Sequence, residues 1–97
     1  MKAILITYNQ AYYDDIEKVL NDHGVKGYTE WDEIKGHGSE TGEPHRGSHA
    51  WPTLNNAVIS IVEDDRVDGI LNALHEKDVN APELGLRAFV WNVEKMI

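Results

Sequence analysis

Lys35-Gly-His-Gly-Ser-Glu-Thr-Gly-Glu-Pro-His-Arg-Gly-Ser-His-Ala-Trp-Pro52 divides this 97-residue chain into two halves. The stretch holds four of the eight glycines, three of the five histidines and two of the three prolines. No apolar period of 2 or 3.6 survives inside it, whereas strand-like apolar segments stand on either side. Structureless loops longer than roughly 12–15 residues are uncommon in compact domains, and are usually functional or disordered. Residues 36–52 therefore read as an arm inserted into one domain, and function is expected there.

Before the arm, Lys2 to Thr7 is apolar on both faces, which predicts a central strand. Asn9 is placed to cap a helix with Asp14, Asp15 and Glu17 in its first turns. Ile16, Val19, Leu20 and His23 mark one face of that helix, and Gly24 stands where a positive φ ends it. Val25 to Ile34 predicts a second strand with one wet face. After the arm, Thr53 to Glu63 predicts a third strand. Asp64 or Asp65 should cap a second helix burying Val67, Ile70, Leu71 and Leu74. Asn80, Pro82 and Gly85 break it, and Arg87 to Val93 forms the last strand.

The order βαββαβ predicts a single α+β domain over residues 1–97. Its fold is ferredoxin-like, an antiparallel sheet with both helices on one face and the arm between strands 2 and 3. The other face is left bare. Trp31, Trp91, Ile59 and Ile61 are candidates to populate it, and so to drive homo-oligomer formation.

Composition narrows the partners. The formal net charge of −8, with only nine scattered basic residues, argues against nucleic acid. No apolar run is long enough to insert in a membrane, and Met1-Lys2 enters the first strand without a signal-peptide pattern, so a cytoplasmic protein is expected. Zero cysteines leave His, Asp and Glu as the available metal ligands.

Gly24-Val-Lys-Gly-Tyr-Thr, Ile34-Lys-Gly-His-Gly, His45-Arg-Gly-Ser-His-Ala-Trp and Phe89-Val-Trp-Asn-Val-Glu-Lys-Met-Ile together resemble the PII signal-transduction family. The likeness runs in order across nearly the whole chain. It implies a homotrimer with nucleotides in the clefts between subunits and long "T-loops" that reach partner proteins. The partner would be a regulated enzyme or transporter. ATP, ADP or AMP would then meet Gly36, Gly38, Glu40 and Arg87, with Arg87 standing for the family's phosphate-binding Lys. Arg46, Ser48 and Trp51 would be partner contacts. His45 replaces the tyrosine that some members modify covalently, and Glu40 replaces a ligand-binding Gln. The glycine-rich phosphate loop is reduced to Asn80-Ala-Pro-Glu-Leu-Gly-Leu-Arg87. Trp51-Pro-Thr-Leu-Asn55 is similar to the signature of a divergent PII-like group, some of whose members are encoded beside heavy-metal efflux systems.

A second reading rests on the arm's imidazoles. His37, His45 and His49 with Glu43 offer ligands for Zn, Cu, Ni or Co, and the even spacing of 43, 45 and 49 shares one face of an extended backbone. Solvated arm histidines are the plainer alternative. Gly36, Gly38 and Gly42 lack the following helix of a dinucleotide fingerprint, so a bare hairpin arm competes with phosphate cradling. Arg46 is equally explained as a surface ion pair, and Trp51-Pro52 as a hinge into the next strand. Catalysis finds little support: there is no Gly-x-Ser-x-Gly elbow, and Ser39 and Ser48 lack an ordered base.

Overall fold

The computed structural model describes residues 1–37, 44–45 and 54–97. Four strands are present among them: β1 (Lys2–Asn9), β2 (Thr29–Ile34), β3 (Asn55–Val62) and β4 (Arg87–Asn92). With α1 (Tyr13–Asp22) and α2 (Val67–Asn80) they follow one another as β1-α1-β2-β3-α2-β4. The strands form one antiparallel sheet in the order β2-β3-β1-β4. This is the expected ferredoxin-like topology, with β1 central between β3 and β4.

Side chains alternate across the sheet, and that alternation builds the core. Ile4, Ile6 and Tyr8 of β1 and Val58 and Val62 of β3 are buried together with Ile16, Val19 and Leu20 of α1 and Val67, Ile70 and Leu74 of α2. Both helices thus cover one face. Register places Ala3, Leu5 and Thr7 on the opposite face, flanked by Ile61, Ile59 and Ala57 of β3 and by Trp91, Phe89 and Arg87 of β4. That face is bare: Trp31 is 48 % exposed, Phe89 51 %, Trp91 46 % and Ile61 36 %. Trp31, Trp91, Ile59 and Ile61 lie where the sequence predicts, and Phe89 joins them.

The end of α1 shows how local sequence sets the next element. Gly24 adopts φ +73°. Its N–H donates to Asn21 O at 3.1 Å, and the Val25 N–H donates to Leu20 O at 2.9 Å. This is a Schellman closure, completed by the burial of Val25 beside Leu20 in the core. Val25 therefore belongs to the helix end, and β2 begins at Thr29 rather than at Val25, because the Val25 N–H is not free for a ladder. The Arg66 guanidinium donates to the His23 carbonyl, and a Cβ at position 24 would run into it. Gly24→Ala should lower stability by at least about 1 kcal/mol, read as a fall in the urea midpoint.

Asp64 and Asp65 do not cap α2. They lie in a short 3-10 turn, Asp64–Arg66, and α2 starts at Val67 without a side-chain cap. The Asp64 carboxylate instead sits 3.0 Å from the Met1 amine, whose hydrogen bond holds it below the usual carboxylate range. Asn9 caps as expected, but it caps the 3-10 turn Gln10–Tyr12 that precedes α1, accepting from the Ala11 N–H at 2.9 Å. The predicted start of the third strand at Thr53 lies outside the described residues, and β3 is formed from Asn55.

Candidate functional site

At one end of the sheet β1 finishes, β2 runs out into the arm and β3 returns from it. β2 does not leave smoothly. Its pairing with β3 shifts between Trp31 and Ile34, and inside the bulge Glu33 has φ +57°, rarely adopted by a residue with a side chain. The Glu33 N–H, displaced from the ladder, donates to Asn56 Oδ1 at 3.2 Å.

Three residues beyond the bulge the two stems of the arm meet. The Gly36 N–H donates to His45 O at 2.7 Å, and the His45 N–H returns to Gly36 O at 2.5 Å. His45 is 3 % exposed, and its Nδ1 is hydrogen-bonded to Oδ1 of Asn55, itself buried. An amide oxygen only accepts, so the Nδ1 carries the proton. Gly36 is needed for this fit, since a Cβ there would stand 2.5 Å from Asn55 Nδ2. Neighbouring asparagines of β3 thus hold both stems, Asn56 the outgoing one and Asn55 the returning one. The Gln10 N–H, donating to Leu54 O at 3.0 Å, ties the return to the end of β1.

On the helix side of this end lies an open cleft of about 820 Å³, lined by Asn9, Gln10, Tyr13, Glu30, Asp32 and Glu33 among others. Glu30, on the cleft wall, accepts at its Oε1 a hydrogen bond from the hydroxyl of Tyr8, buried in the core behind it, at 2.8 Å. Burial first, then the hydrogen bond and charge of Glu30, push the Tyr8 phenol far above its ordinary value, so it remains a donor. Three carboxylates make this side hostile to an anion.

The opposite side of the same end is different. Register aligns Ala57, Thr7 and Arg87 in one row on the bare face, and Asn55 lies two residues along β3 from Ala57. Strand spacing puts the Arg87 and Asn55 backbones roughly 12 Å apart. Residues 36, 45, 55 and 87, distant in sequence, converge there. The Arg87 guanidinium is turned aside, however: its NH1 donates to Leu86 O at 2.6 Å and lies 3.3 Å from Asp78 Oδ1 on α2.

Of the predicted site residues, Gly36, His37, His45 and Arg87 are described. Gly38, Glu40, Glu43, Arg46, Ser48, His49 and Trp51 lie outside the described residues. His37 is exposed, whereas His45 is buried within the stem, and among the described residues no group of three His, Asp or Glu side chains is placed to hold a metal. The sequence marks Asn55 only as the close of Trp51-Pro-x-x-Asn55; its role as a clamp, and those of Asn56, Tyr8 and Glu30, depend on pairings that the sequence does not carry.

The model of the family described as "Nitrogen regulatory protein P-II" matches residues 1–97. The chain belongs to the P-II family. Solved structures agree with this P-II fold. A putative PII-like signaling protein from Thermus thermophilus is 26% identical with a TM-score of 0.69, the match covering 95% of this chain and 85% of that one. CPII from Thiomonas intermedia K12, bound to ADP and bicarbonate, is 23% identical with a TM-score of 0.77, covering 95% and 84%. Its apo form is 21% identical with a TM-score of 0.67, covering 95% and 87%. No curated protein matches the chain. No helix among the described residues of this P-II protein is long and apolar enough to cross a membrane.

Proposed function

We propose that this chain is a regulatory P-II protein that assembles as a homotrimer and binds an adenine nucleotide between subunits. The nucleotide sets the conformation of the 36–52 arm, which docks on a regulated enzyme or transporter. The observation that carries this reading is the convergence of Gly36, His45, Asn55 and Arg87 at one end of the bare, non-acidic face. Phosphates there meet the Gly36 region and, once it leaves Asp78, the Arg87 guanidinium, whose planar fork suits bidentate anion binding. Gly38 and Glu40 complete the effector contacts from the arm, and Arg46, Ser48 and Trp51 supply the partner surface.

The neighbour CPII, bound to ADP and AMP in its solved forms, makes ADP the first ligand to try. The bare face carries the assembly, because exposed aromatic surface of this kind gains most from being removed from water. An effector moves the arm only by binding one of its conformations better than the other, and the clamp at Gly36 and His45 lies between nucleotide and arm. Calorimetric titration with ADP, ATP and AMP should give a saturable heat with ADP, and Arg87→Ala should weaken it by about tenfold or more, as expected for loss of a charged bidentate contact. No heat at millimolar nucleotide would sink the nucleotide reading.

A further inference from the structure

Arg87 has two places to be. Its backbone opens β4 opposite Thr7, on the bare face of the sheet. Its guanidinium nevertheless reaches round β4, the outer strand among the described residues, to the helix side, where Asp78 stands in the last turn of α2. That position is built rather than incidental. Leu71, Leu74, Leu86 and Ala88 line a pocket of about 500 Å³ there, with Asp78 and His75 at its polar side. The Leu86 carbonyl takes a second hydrogen bond from the same NH1. A carboxylate in the last turn opposes the helix macrodipole, and a guanidinium beside it relieves that repulsion, so both groups favour the pairing.

We infer that Asp78 acts as an internal competitor for the anion site, parking the Arg87 guanidinium against α2 until a phosphate draws it back over Thr7. The inference rests on the nucleotide reading above and adds the residue that sets its affinity. A phosphate displaces Asp78 because it carries more charge and presents several acceptors to the guanidinium fork. The Arg87 and Asp78 side chains are 41% and 29% exposed, so the competition is modest and screened by salt.

The test is a calorimetric titration of ADP and of adenosine into the full chain, as wild type, Asp78→Asn, Arg87→Ala and the double variant. Asp78→Asn should tighten ADP about two- to fivefold, the range of a partly exposed ion pair. Adenosine, lacking phosphate, should bind wild type and Asp78→Asn alike. In the Arg87→Ala background the Asp78→Asn gain should vanish, and in wild type it should shrink at about 0.5 M salt. Asp78→Ser serves the same purpose if the Asn variant folds poorly. Wild type that binds ADP with an affinity Asp78→Asn and Asp78→Ser leave unchanged or weaken overturns the parking role alone. Absence of ADP binding in every variant overturns the nucleotide reading and the inference together.

Discussion

Phe89→Asp with Trp91→Asp is expected to abolish the proposed trimer and leave a folded monomer. Both side chains stand about half exposed on the bare face, pointing away from the helices, and neither belongs to the buried core. A charge at such a site costs the isolated subunit little, since surface substitutions stay mostly within about 0.5 kcal/mol. In an assembled trimer the same carboxylates would be buried without partners, in as many copies as there are subunits, and each unpaired buried charge costs several kcal/mol. The association constant should therefore fall by many orders of magnitude. Sedimentation equilibrium at micromolar protein reads the mass directly, and circular dichroism checks the fold. A wild type sedimenting at the 11.0 kDa of one chain would refute the assembly. So would a double variant that remains trimeric.

Asn55→Ala should produce the largest effect of any polar substitution. Asn55 accepts the hydrogen bond of a histidine that is 3 % exposed, and its removal leaves the His45 Nδ1 donor with nothing to bond. Stranding a buried donor costs about 1–3 kcal/mol, and for a domain of this size each kcal/mol lowers Tm by roughly 4–8 °C. The loss should extend beyond stability. With the clamp gone, the stems paired at Gly36 and His45 lose their side-chain anchor to β3, and ADP affinity should fall together with the pre-organisation of Gly36. Gly36→Ala should reproduce part of both losses, because the new Cβ meets the Asn55 amide. Calorimetric scanning of the two variants, with and without ADP, checks the prediction. If Asn55→Ala melts within about 1 °C of wild type and binds ADP as tightly, the clamp has no role.

Short-range pattern carried everything that was legible in the chain before any contact was known. Short apolar runs located the strands and period-3.6 spacing the two helices, because a strand buried on both faces is continuously apolar and an amphipathic helix lines up its apolar side chains on one side. Gly24 announced the end of α1, since a left-handed residue there favours glycine whatever the tertiary context. The length and glycine content of 36–52 marked an arm, and the Ile-rich β1 marked the strand with neighbours on both sides. The quoted family motifs, read in order, pointed to the same topology.

Which residues meet is a matter of tertiary placement. A shift of one residue in register would turn every side chain of a strand to the other face, so Phe89 on the bare sheet and Asn55 beside His45 follow from pairing, not from composition. The bulge at Glu33 occurs without a glycine to announce it, and Asn56 accepts the N–H it displaces. The sequence offered Arg87 as a candidate for holding an anion. Its turn toward Asp78 was not legible, since that contact exists only because α2 ends beside β4. Hydrogen bonds between distant side chains depend on a few ångströms of placement, and that placement is set by the whole sheet and the helices packed upon it.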